Sequence, residues 1–448
     1  MKLYLAIAAL ALYGDLLKRV VGATTALFTT YAIFGLIIAA CFTKAYAPEA
    51  RFVRARDNRF STACLALLGI YLIQLLTHPD APLFEALGSA FYIILPLTYI
   101  VTISHCFPHF DLYRLGQSFL VMMPPIVAVG LVQHFVNDTF LVDTTYSETG
   151  GIIARNFLDN DIMGGDTYYK RLPSLLASAD RLAAMGVMQF YFCVLLLRGA
   201  SKMTRRRVLW LLFSLASAIA VLMIAGARSR ILITGVAIAL AGAPIVLKLL
   251  ANVGQRRRSA GVSPAIIIVI VAAIGGGILA AGVAGGGMED ALDSLPIVRQ
   301  LKATVEKDDV SARSKEFFDV SSIPDDATLF GLGLGTAGVG GRPGEMAVRA
   351  MWIESGVFWT VLMLVIYATL ILRLALCLAG AIRRQAPYDI FLCAVPLLTW
   401  MFGLIAGLPG TFELSTALTL FPAVAVITTG VTVLPARRPI YGARFGER

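Results

Sequence analysis

The sequence predicts an all-α polytopic membrane protein, with about twelve transmembrane helices and one large extracytoplasmic loop capping the bundle. Three observations carry that expectation. The chain of 448 residues is 58% hydrophobic and 15% charged, with a mean hydropathy of +0.78, whereas a soluble domain carries about 25% charged residues. Apolar runs of the length that crosses a bilayer, about 20 residues, recur along the chain. Long polar stretches occur only at 137–180 and 286–349. The strand-type alternation of a barrel is missing, and backbone groups in lipid must be satisfied within their own segment, so the spans read as helices.

The length rule places spans near 3–14, 21–43, 61–77, 83–105, 115–136, 181–198, 208–226, 231–250, 264–285, 350–374, 388–408 and 415–435. The first is short and reads as a membrane helix or a re-entrant piece. It does not read as a secretory signal, because no convincing small-x-small cleavage site precedes Asp15. Basic clusters set the orientation. Arg51, Arg54, Arg56 and Arg59 follow the second span, and Lys202 with Arg205, Arg206 and Arg207 follow the sixth. Lys248 with Arg256, Arg257 and Arg258 follow the eighth, Arg383 and Arg384 the tenth, and Arg437, Arg438, Arg444 and Arg448 the last. These clusters alternate onto one side, so the positive-inside rule makes both termini cytoplasmic. The loop 137–180, the turn Ala227–Arg230 and the cap 286–349 then face the opposite side. Residues 1–448 read as a single membrane domain without internal repeats.

The formal charge of +10 belongs to these topogenic clusters and does not indicate nucleic acid. The six cysteines, Cys41, Cys64, Cys106, Cys193, Cys377 and Cys393, all fall in or beside apolar runs. They read as small buried hydrophobes, neither a disulfide framework nor a metal set. The four histidines, His78, His105, His109 and His134, lie outside the cap, so no histidine base is available there. No cofactor or metal-ligand spacing is visible.

Chemistry concentrates in outward arginines. Arg228 and Arg230 occupy a turn between two apolar runs, on the side the positive-inside rule leaves poor in cations. Charge beside hydrocarbon is expensive unless paired or facing a cavity. An Arg-x-Arg pair forks onto phosphate oxygens; snorkelling to headgroups or pairing with cap carboxylates explains it too. Arg171 closes the first polar loop just before Leu172-Pro173-Ser174. Arg313 follows Asp309 near the start of an expected cap helix, where an anion is also favoured, although an intrahelical pair with Asp309 serves as well. The run Gly331-Leu-Gly-Leu-Gly335 lacks the strand–helix context of a nucleotide fingerprint. It reads as a hinge or packing element, with an anion nest the alternative. Glu345 precedes the tenth span and Glu354 lies inside it; an intramembrane carboxylate is either functional or a paired structural group.

The order of these pieces resembles the O-antigen ligase/polymerase superfamily of Wzy-type polysaccharide polymerases and lipopolysaccharide ligases. The likeness runs from about Lys170 to Gly356 and rests on four pieces: Arg171 before span six, Gly226-Ala-Arg228-Ser-Arg230, Ser311-Ala-Arg313 with Gly331–Gly335, and Glu345 through Trp352-Ile-Glu354-Ser-Gly356. Two features depart from the pattern. Leu172-Pro-Ser-Leu-Leu stands where a Gly-Thr-Phe-like string is usual, and Glu345 or Arg349 stands in the region where ligases place a histidine; the second favours polymerase. The resemblance implies a metal-free glycosyltransferase of the bacterial inner membrane, with the large loop periplasmic. It would join undecaprenyl-diphosphate-linked repeat units, donor and acceptor, and work beside chain-length regulators or export proteins. Arg171, Arg228, Arg230 and Arg313 would hold the diphosphate, and Glu345 would act as general base, with Glu354 a further candidate. A ligase acting on lipid A core and a polysaccharide or lipid flippase are the competing readings. Deletion separates the enzymes, since a ligase mutant accumulates lipid-linked polymer and a polymerase mutant single repeats. Internal repeats and broken helices would favour a transporter.

Overall fold

A computed structural model of the chain describes residues 1–21, 23–45, 59–77, 94–107, 110–137, 140–141, 172, 174–176, 178–198, 204–225, 228–253, 329–333, 347–406 and 414–428. Their backbone is 89% helical and contains no strand. In chain order the helices are α1 (Lys2–Val21), α2 (Ala23–Ala45), α3 (Arg59–Thr77), α4 (Ile94–Ser104), α5 (Leu112–Met122) and α6 (Pro124–Phe135). There follow α7 (Ala179–Arg198), α8 (Arg205–Ala225), α9 (Arg228–Val253), α10 (Ala347–Arg383), α11 (Pro387–Ala406) and α12 (Leu414–Thr428). Four stretches are long and apolar enough to cross a membrane: Leu112–Phe135, Ala179–Arg198, Arg205–Ala225 and Trp352–Arg383. On the last of these, Phe358, Val361, Val365, Leu372 and Leu376 are all exposed and fall on one stripe. An uncovered apolar stripe of that length suits a lipid solvent.

The axis of the bundle is α7. It is apolar on every side, so it has no face to give to solvent, and nearly all of Ala179–Leu196 is buried. Helices α5, α8, α9, α11 and α12 pack around it. Close approach to α8 depends on Gly186, where a Cβ would sit 2.9 Å from Val221 Cγ1 and 3.1 Å from Leu222 Cγ. Small residues of this kind let helix backbones approach in a membrane. We expect Gly186→Ala to overpack this seam and cost about 1–3 kcal/mol, read as a lowered midpoint in thermal unfolding of the detergent-purified protein.

Ion pairs fix α7 at both ends. At its start Arg181 Nη1 donates to both carboxylate oxygens of Asp15 on α1, at 2.7 and 2.9 Å. At its finish Arg198 Nε meets Asp389 of α11 at 2.7 Å. The second pair puts the end of α7 beside the turn joining α10 to α11. The basic clusters at Arg205–Arg207 and Arg383–Arg384 therefore share one end of the bundle. The first pair places the end of α1 and the start of α7 at the opposite end.

Four boundaries differ from the sequence expectation. One is the span 231–250, which is the helix Arg228–Val253 and so takes Arg228 and Arg230 out of the connecting turn and into its first helical turn. The short span 3–14 is the 20-residue helix α1, because Asp15, which marked its limit in the sequence, is neutralised by Arg181. Span 115–136 is two helices meeting at Met123–Pro124; the prolines have no N–H to give, while Met123 keeps helical dihedrals of −71° and −31°. Span 350–374 runs on to Arg383 and is broken at Gly356 (φ 79°, ψ 174°). Span 264–285 and most of the cap 286–349 lie outside the described residues.

Candidate functional site

The end of the bundle that carries Asp15 and Arg181 gathers the remaining features of interest. Helix α9 begins there at Arg228, three positions after α8 ends at Ala225. Ser229 is exposed and Arg230 half-buried, and the Arg230 carbonyl accepts from Thr234 Oγ1 at 2.9 Å. The first turn of α9 contains no acidic residue. Two cations in a first turn oppose the helix macrodipole, which favours anions there by about 0.3–1 kcal/mol each. The macrodipole therefore does not account for Arg228 and Arg230 at this position, and the N–H groups of a helix start attract anions.

The segment after Arg171 packs against the last turn of α8. Leu172, Ser174, Leu175 and Leu176 are buried, although the sequence assigns them to a polar loop. Leu172 N–H donates to Ile224 O in the last turn of α8, at a long 3.4 Å. Ser174 has a positive φ of 56° and no exposure. Non-helical backbone at this depth needs substitute partners, and α6 supplies them. Gln133 Oε1 accepts from Ser174 N–H at 2.8 Å. Gln133 Nε2 donates to Ser174 O at 3.2 Å and to Phe140 O at 2.7 Å. Ser174 Oγ in turn donates to Ile126 O at 2.6 Å.

At the start of α10 the glycine run acts as a packing element. Leu332 N–H donates to Ile353 O at 2.7 Å, and Gly333 N–H to Glu354 O at 3.1 Å. These are carbonyls that a helix broken at Gly356 leaves without intrahelical donors. Gly331 has φ 74°, and a Cβ on it would lie 2.5 Å from the Glu354 carbonyl carbon. Side chains are barred here by both conformation and space. The N–H groups of Leu332 and Gly333 are thus committed to α10, so the anion-nest alternative does not hold for them. Glu354 and Ser355 are each 1% exposed at the break.

Of the residues singled out in the sequence, Arg228, Arg230 and Glu354 belong to described helices, while Arg171, Arg313 and Glu345 lie outside the described residues. The structure brings Leu172, next in the chain to Arg171, to within two positions of the turn leading to Arg228. Gln133 escaped the sequence reading because a glutamine inside an apolar run carries no local signal of a partner 41 residues away. Among the described residues no three His, Cys, Asp or Glu side chains come together as a metal site. No family model matches the sequence, and no curated protein matches it either.

Proposed function

We propose that this chain is a membrane glycosyltransferase that polymerises undecaprenyl-diphosphate-linked oligosaccharide repeat units into a surface polysaccharide. The observation that supports it is the meeting of the Leu172–Leu176 segment with Ile224 in the last turn of α8. In the chain Arg171 lies one residue before that contact and Arg228 four residues after it, and a helix N-terminus such as the start of α9 also favours an anion. A diphosphate leaving group develops negative charge as the glycosidic carbon departs, and preorganised guanidinium groups stabilise that charge. Arg313 is proposed as a fourth contact. Glu345 takes the proton of the acceptor hydroxyl as general base, and Glu354 is the second carboxylate of the region. The lipid tail lies against the apolar outer faces of the bundle and the sugars beneath the loop 286–349, on the periplasmic side.

The test is incubation of purified protein with a purified lipid-linked repeat unit in EDTA. A ladder of extended chains is the expected product, and unaltered starting material refutes the proposal. The break in α10 at Gly356 favours a second reading as a flippase, since discontinuous helices are common in transporters. Proteoliposomes separate the two, because a flippase exposes the lipid-linked unit on the far leaflet without lengthening it.

A further inference from the structure

We infer that Gln133 is a positioning residue, whose carboxamide holds the buried Leu172–Leu176 segment against the last turn of α8 and so sets the end of α8 from which the chain runs on to the arginines at the start of α9. The inference rests on the functional reading above. Its geometry is closed on three sides. Gln133 satisfies both backbone groups of Ser174 at 2.8 and 3.2 Å. Leu172 reaches Ile224 on α8. A Cβ on Gly130, one turn before Gln133, would touch Ser174 Cβ at 3.6 Å and Ile224 Cγ2 at 3.9 Å. Helix α6, the segment and the end of α8 therefore meet at one point, two positions before the Gly226–Ala227 turn that leads to Arg228.

A buried backbone segment of this kind has no water to replace a lost partner, so its position depends on the amide that faces it. Gln133→Leu keeps the bulk of the side chain but removes all three of its hydrogen bonds. The segment is then free to shift, and a displacement of about 1 Å in a positioning element costs a reaction roughly 100-fold.

The geometry also supplies a rescue. Cysteines at Gly130 and Ser174 would have their Cβ atoms at the 3.6 Å separation, within the roughly 3.5–4.5 Å that a disulfide requires. The experiment compares the wild type, Gln133→Leu, and the pair Gly130→Cys with Ser174→Cys carried in each of these two backgrounds, all purified in full length. Chain extension of a lipid-linked repeat unit is measured under oxidant and under dithiothreitol. Gln133→Leu is expected to lose roughly 100-fold in turnover and to unfold at a lower midpoint, because it leaves buried backbone groups of Ser174 without their partner. The cross-linked protein is expected to recover most of the turnover when oxidised and to lose it again on reduction. The same cysteine pair is expected to oxidise faster when Gln133 is intact than in the Gln133→Leu background.

Full turnover in Gln133→Leu overturns the inference. So does a cross-link that forms without restoring extension. Should the leucine variant fail to accumulate, Gln133→Glu takes its place; it keeps the shape and the acceptor but sets a carboxylate against the Phe140 and Ser174 carbonyls. A wild type that extends nothing sinks the polymerase reading instead. In that case the two oxidation rates alone decide whether Gln133 holds the segment, and equal rates overturn it.

Discussion

Arg228→Ala and Arg230→Ala are each expected to abolish long polysaccharide in protein that still accumulates in the membrane. Both arginines stand in the first turn of α9, where the macrodipole opposes a cation, so the expected loss falls on activity and the unfolding midpoint is read beside it as the control for folding. The loss falls on the leaving diphosphate, and deletion of a single donor to a developing anion costs about 100- to 1,000-fold in rate. Lysine at either position keeps the charge but not the two-pronged geometry, so Arg230→Lys should retain a small fraction of the activity. The measurement is the chain-length distribution on gels of polysaccharide from a deletion strain carrying each variant. Normal length with both alanine variants removes the arginines from the chemistry.

The largest stability effect is expected at Asp15 and Arg181. Their side chains are 9% and 19% exposed, and the guanidinium contacts both oxygens of the carboxylate. Breaking such a pair from one side strands a charge in a low-dielectric site and costs about 3–5 kcal/mol. Asp15→Leu and Arg181→Leu are each expected to show that loss in denaturant unfolding of the detergent-purified protein. The double variant should recover much of it, because two apolar side chains leave nothing uncompensated. Additive losses in the double variant would show that the pair does not act as a unit.

Much of the helical layout is legible in the sequence because hydropathy is a local property. The expected span 181–198 and the helix Ala179–Arg198 differ by two residues at the start, and 388–408 overlies Pro387–Ala406. The failures arise where a residue's meaning depends on a distant partner. Asp15 reads as a stop signal in isolation, yet 166 positions away Arg181 turns it into an interior residue. The same holds for Leu172–Leu176. A proline and a serine before a span read as loop, and distant partners, the amide of Gln133 and the carbonyl of Ile224, allow that backbone to be buried. Pro124 and Pro125 illustrate the converse. They break the hydrogen-bond ladder without redirecting the chain, so hydropathy alone sees one span. The candidate arginines stand out in the sequence through their conflict with the positive-inside rule, a statistical signal that needs no partner.

The clasp between Gly331–Gly333 and the broken start of α10 also bears on how this protein tolerates change. The chain is pinned at Gly333 and again at Ile353, so residues 334–346 connect two fixed posts. Doubling the length of such a connection costs only about 0.6 kcal/mol in closure entropy, so an epitope tag inserted there should leave assembly intact. A single methyl group at Gly331 or Gly356, by contrast, would prise the posts apart. Tolerance of added length ahead of Glu345 and intolerance of a single methyl group at the two glycines are thus set side by side in the same short stretch.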